Sequence, residues 1–136
     1  MANGACPRAP FVKLVLDAGA FIAFERGDRM IAALLKRELL ARRRPCTHGG
    51  VVGQIWRGGA RQARIARLLQ AIEVVALDLE VGRRAGLLLG RTRQSDVVDA
   101  ALVLLASDDD WLVTSDPDDL RPLAQGAGLH VEIVPV

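Results

Sequence analysis

At 136 residues with 51% hydrophobic content, the chain is long enough for one domain with a buried core and short for two. Aromatic residues make up only 4% and tyrosine is absent, so that core must be built from Ala, Leu and Val. A formal net charge of +2 falls short of the basic balance that alone marks a nucleic-acid binder, and two cysteines, Cys6 and Cys46, are too few for a disulfide framework or a zinc ribbon.

Residues 1–10, with Asn3, Gly4, Pro7 and Pro10, read as a loose tail ahead of a single domain over residues 11–136. Val12 to Leu16 is a short buried strand ending at Asp17-Ala18-Gly19, where a first helix begins. Asp17 interrupts the apolar run to Phe24, which rules out a signal-peptide core, and no stretch approaches the roughly 18 apolar residues of a membrane span. With so few cysteines, the expected setting is a reduced, cytoplasmic one without membrane contact.

Asp28 is a natural N-cap for a helix reaching Ala41, closed by Arg42-Arg43-Arg44-Pro45. A short strand at Cys46 to His48 leads into Gly49 to Trp56, and Gly58-Gly59 restarts the chain into a helix from Ala60 to about Ala71. Glu73 to Leu77 is a strand, Asp78 opens a helix over Glu80 to Arg91, and Ser95-Asp96 opens the next, through about Ser107. Asp108-Asp109-Asp110 reads as a solvated turn, Trp111 to Thr114 as a strand, Pro117 to Gln125 as a helix, and Val131 to Val134 as a last strand. Strands alternating with helices, without hairpin signals, predict an α/β fold with a parallel sheet covered on both faces.

In such a sheet, sites form outside the carboxyl ends of the strands. That rule selects Asp17, directly after the first strand, and Asp116, after the fourth, as acids aimed at one edge. Asp96 and Asp99 are three apart and share a helix face in a first turn capped by Ser95, where the dipole favours negative charge. Taken singly, each is an ordinary cap or turn residue. Together, with no histidine or cysteine beside them in sequence, they specify hard oxygen ligands and hence Mg²⁺ or Mn²⁺ rather than zinc. Cys46 and His48 form one C-x-H pair without a second, which does not make a zinc site.

Leu16-Asp17-Ala18-Gly19-Ala20, Asp96-Val97-Val98-Asp99-Ala100 and Thr114-Ser115-Asp116-Pro117-Asp118-Asp119-Leu120 resemble, in order and spacing, the motifs of the PIN domain. Within it the chain is similar to the VapC-type ribonuclease toxins of bacterial toxin–antitoxin pairs, from about Val12 to Val134. The resemblance implies a three-layer α/β/α sandwich with a central, mainly parallel sheet. It further implies RNA cleavage by a metal-activated water at a Mg²⁺/Mn²⁺ site, neutralisation by a cognate antitoxin, and a homodimer. By position, Asp17 is the first metal-binding acid, Asp99 the third and Asp116 the fourth. Asp96 is an added ligand or a water-positioning neighbour, and Asp119 caps the following helix.

The family's second acid is usually a glutamate in the helix after the second strand; here Gln54 stands in its place. Glutamine keeps one carbonyl ligand but removes a charge, so metal affinity should fall, and Asp96 is the candidate to restore it. The alternative is therefore a catalytically weakened PIN domain acting as an RNA- or antitoxin-binding module. A receiver or dehalogenase-like phosphotransfer domain fits less well: no second Asp lies two residues after Asp17, and no lysine lies downstream of Lys36.

Arg61 and Arg64, following Arg57, lie on a helix flank suited either to solvent or to RNA phosphates. Gly82, Gly86 and Gly90 form a small-residue stripe expected to pack closely inside the fold, with a subunit interface as the second use. Phe21, Phe24 and Trp56 are core fillers by default, or the walls of a groove for an antitoxin's amphipathic segment.

Overall fold

The computed structural model describes residues 12–136, so the tail expected over residues 1–10 lies outside the described residues. In chain order the elements are β1 (Leu14–Leu16), α1 (Ala18–Glu25), α2 (Arg29–Leu40), β2 (Cys46–His48) and α3 (Gly49–Ile55). A 3₁₀ turn (Ala60–Gln62) then enters α4 (Ala63–Ala71), followed by β3 (Glu73–Val75), α5 (Leu79–Thr92) and α6 (Val97–Val103). The chain continues through β4 (Trp111–Thr114), α7 (Pro117–Gly126) and β5 (Glu132–Pro135). The helix expected from Ala60 is thus split, because Gln62 is buried: its Nε2 donates to the Ile55 carbonyl while its Oε1 accepts from the Arg57 and Gly58 amides.

The fold is α/β, with five parallel strands in the order β3-β2-β1-β4-β5. From β1 the chain winds outward through β2 to β3, then crosses back to β4 and winds out to β5. The principal helix contacts group α1 to α4 together and α5 to α7 together, as right-handed crossovers leaving β1 in opposite directions would place them on opposite faces. The reversal falls between β1 and β4, whose register sets Leu14 against Trp111 and Leu16 against Val113. A crevice opens at the carboxyl ends of strands flanking such a reversal.

The two central strands read as continuous apolar runs because both of their faces are covered: Leu14, Val15, Leu16, Leu112 and Val113 are almost fully buried. Phe21 and the run Ala100 to Val103 of α6 close the core around them. Helix starts follow local chemistry, with Asp28 Oδ1 accepting from the Ile31 amide and Asp78 Oδ1 from the Val81 amide, each at 3.0 Å. Among the described residues no helix is long and apolar enough to cross a membrane.

Several expectations are corrected. The glycine stripe does not pack inside the fold: a Cβ at Gly82, Gly86 or Gly90 would meet nothing within 4 Å, and this face of α5 also leaves Leu79 and Leu87 about two-thirds exposed. Asp110 is not a solvated turn residue but 4% exposed, because the Lys13 side chain and amide lie against it. Arg43 does more than end a helix, pairing at 2.8 Å with Glu38, which is itself buried. Trp56 is 40% exposed rather than core.

Candidate functional site

Asp17 leaves β1 at the reversal with its amide still donating to the Val113 carbonyl of β4 at 3.0 Å, so its backbone remains part of the sheet. Its side chain caps α1, Oδ1 accepting from the Ala18 amide at 2.7 Å. Oδ2 accepts from the Thr114 hydroxyl at 2.7 Å, and the residue is 6% exposed. Gly19 is required here, since a Cβ would stand 2.7 Å from the Ser115 amide nitrogen. The first turn of α1 thereby presses directly on the loop that carries Asp116.

Asp116 begins α7 as its N-cap residue, yet its carboxylate makes no capping bond. Its amide donates to Thr114 Oγ1 at 2.9 Å. A single fully buried hydroxyl therefore donates to Asp17 and accepts from Asp116, fixing the two acids relative to each other across β1 and β4. Asp119 does not cap this helix as expected; it sits in the first turn of α7, with its amide donating to the Asp116 carbonyl.

On α6 the N-cap is Asp96 rather than Ser95. Both residue types make good caps, and the one whose carboxylate reaches the amide three residues on takes the role: Asp96 Oδ1 accepts from the Asp99 amide at 3.0 Å. Asp99 is half-buried, and its carboxyl is pushed up to about 7. Burial is the main cause, followed by the charges of Asp96, Asp17, Asp119 and Asp116. Four carboxylates from three segments thus act on a fifth.

His48, which the sequence offers only as half of a C-x-H pair, is fully buried at the end of β2. Its Nδ1 accepts from the Gly50 amide at 3.0 Å, and its Nε2 lies 2.9 Å from the Val98 carbonyl of α6. Burial lowers its pKa, outweighing the Val98 carbonyl and the Asp17 charge, which act to raise it.

The donor set suits a hard divalent cation, being made of carboxylate oxygens with an excess of negative charge. Among the described residues no group of three or more His, Cys, Asp or Glu side chains is placed so that it could hold a metal ion together. Mg²⁺ does not demand one, since it keeps several waters and is commonly bound through one or two carboxylates. One or two of Asp17, Asp99 and Asp116, with water completing the shell, would hold such an ion. Asp96 has one oxygen committed to its cap.

Gln54 is exposed in the last turn of α3, and among the described residues no hydrogen bond joins it to the acids. The arginines are not drawn to the acids either. Arg57 Nη1 donates to the Gly53 and Trp56 carbonyls at the end of α3, Arg61 is exposed, and the Arg64 guanidinium lies 4.6 Å over the Phe24 ring. Arg64 and Arg67, with Lys36, rim an apolar cavity of about 430 Å³ walled by Phe24, Leu35 and Leu68. Thr114 had a signal in its two-residue spacing from Asp116, whereas nothing in the sequence pointed to the contact of His48 with Val98.

Compared with models of known protein families and with curated proteins, the chain matches none of them.

Proposed function

We propose that the protein is a Mg²⁺- or Mn²⁺-dependent endoribonuclease of the PIN type, a VapC-like toxin held in check by a protein antitoxin. The observation that carries the reading is the juxtaposition of Asp17, Asp99 and Asp116 at the β1/β4 reversal, with Asp96 and Asp119 adding their charge. Carboxylates gathered without a counter-charge repel one another, and a cation or a proton relieves the repulsion. The chemistry such a cation supplies when bound is activation of a water and neutralisation of charge on the phosphate being cleaved. Asp17 is oriented for that role by Thr114, and the Asp99 carboxyl, raised to about 7 by burial and the neighbouring acids, is the group whose charge a cation would relieve.

The basic-rimmed groove beside α2 and α4 supports the antitoxin part of the reading. Its apolar floor suits one face of an amphipathic helix, and Lys36, Arg64 and Arg67 favour acidic flanks on that helix. A homodimer remains part of the proposal.

The test is cleavage of a mixed RNA pool by the purified chain with and without Mn²⁺, with Asp17→Asn and Asp99→Asn as controls. Mn²⁺-dependent cleavage that both variants lose supports the nuclease. Gln54 and the open spacing of the acids favour a second reading, a weakened PIN-like module that binds RNA or antitoxin. Cleavage absent from the parent, with RNA or antitoxin binding retained, would select it.

A further inference from the structure

The peptide group joining Val98 to Asp99 is gripped at both of its polar ends. Its N–H, on Asp99, donates to Asp96 Oδ1 at 3.0 Å, and its carbonyl, on Val98, lies 2.9 Å from His48 Nε2. The tautomer follows from the partners. A backbone N–H can only donate, so the Nδ1 that meets the Gly50 amide carries the lone pair, and Nε2 carries the proton given to Val98. The ring is 0% exposed. With its donor and its acceptor both committed inside the protein, it serves neither as a base nor as a ligand, and its use lies in what it holds.

On one side it holds the first turn of α3, and on the other the first turn of α6, which lies across the sheet from α3. Asp99 is the third residue of that turn, and its carboxyl has to stand within electrostatic reach of Asp17, Asp116 and Asp119 from a seven-residue helix. Inside α6 the Val98 carbonyl also lies in line for the amide four residues on, so the His48 bond is a second hold on this plane, at the turn that carries Asp99.

We propose that His48 is the positioning residue for Asp99: together with Asp96 it clamps the Val98–Asp99 peptide plane and so sets where the Asp99 carboxyl stands among the other acids. As a statement about cation binding this rests on the functional reading above; as a statement about geometry it stands without it.

Two substitutions separate this role from simple capping of α3. His48→Asn keeps an acceptor near the Nδ1 position for the Gly50 amide but is too short to reach Val98. His48→Gln carries an amide N–H at about the Nε2 position and keeps the bond to Val98. Each is compared with the parent by hydrogen exchange of the Asp99 amide in metal-free protein and by titration with Mn²⁺ alone. The expected result for His48→Asn is exchange at least about tenfold faster and Mn²⁺ binding weaker by about tenfold, a typical effect of losing an outer partner of a ligand. His48→Gln should restore both to near the parent.

Parent-like values in His48→Asn, or equal losses in both variants, would overturn the proposal in favour of a local cap or general loosening. Should His48→Asn not fold, accelerated exchange in His48→Gln overturns it and parental exchange supports it. Should the parent bind no Mn²⁺, the metal reading fails by itself and the exchange rates still decide the clamp.

Discussion

β1 and β4 carry polar groups at both of their ends, and the two ends are built on opposite terms. At the amino ends, Lys13 and Asp110 face each other with side chains 8% and 6% exposed, Nζ to Oδ2 at 3.7 Å. Asp110 Oδ1 also accepts from the Lys13 amide and Oδ2 from the Ser107 amide, so the carboxylate is fully answered. Nearby Glu38 is held below the usual carboxylate range, first by its hydrogen bond from Arg43 and further by that from Arg37, against the opposing effect of burial. At the carboxyl ends, Asp17, Asp99 and Asp116 gather with no basic side chain paired to them among the described residues, and Asp99 rises to about 7. One end of the strand pair answers its buried charges; the other gathers carboxylates without a basic partner among the described residues.

The comparison breaks most visibly at the paired end. Lys13→Met leaves the Asp110 carboxylate buried without its cation and should destabilise the protein by about 3 kcal/mol in urea unfolding at neutral pH. A loss below about 1 kcal/mol would mean that the two amide bonds alone hold Asp110.

At the other end, Thr114→Val deprives Asp17 of a donor and the Asp116 amide of its acceptor inside a fully buried site. It should lower stability by about 2 kcal/mol, with Thr114→Ser close to the parent. Equal losses in both variants would point to packing rather than to the hydroxyl.

Asp99→Asn should move stability the opposite way. Folded Asp99 keeps its proton up to about 7, whereas the unfolded chain releases it near 3.8, so folding takes up a proton between those values and stability falls as pH rises through them. The variant should lose that decline and exceed the metal-free parent at pH 8 by about 1 kcal/mol, a fraction of the full shift because Asp99 is only half-buried and solvent screens it. Melting curves from pH 4 to pH 8 read this directly, and saturating Mn²⁺ should raise the parent's melting temperature but not the variant's. The smallest effect is expected from Gln54→Glu. A charge in the last turn of α3 should cost about 0.5 kcal/mol against the helix dipole while tightening Mn²⁺ binding measured by calorimetry. Unchanged Mn²⁺ affinity would place Gln54 outside the site.

The sequence disclosed what is local. Caps such as Asp28 and Asp78 announce their helices because the amides they serve lie three residues away, and the apolar runs of β1 and β4 announce burial on both faces. The sheet-edge rule then brought Asp17 and Asp116 into view. What stayed hidden depends on partners far along the chain. Asp110 looks like a turn residue until Lys13 closes over it, and His48 is an ordinary strand end until Val98 arrives from α6. The glycines of α5 misled for the same reason: spacing indicates a smooth face but not what lies against it.

The bond from Thr114 to Asp17 joins residues 97 apart in sequence, as does the bond from the Lys13 amide to Asp110. Contacts of such long range form late, because most of the chain must be ordered before they are gained. During synthesis the acids of β1, α6 and β4 therefore remain strangers until Trp111 to Thr114 have emerged and docked against β1. A nascent chain halted before that point holds Asp17, Asp96 and Asp99 but lacks the strand that orients them. Whatever chemistry this edge performs therefore waits on β4, whose Thr114 hydroxyl ties Asp17 to Asp116.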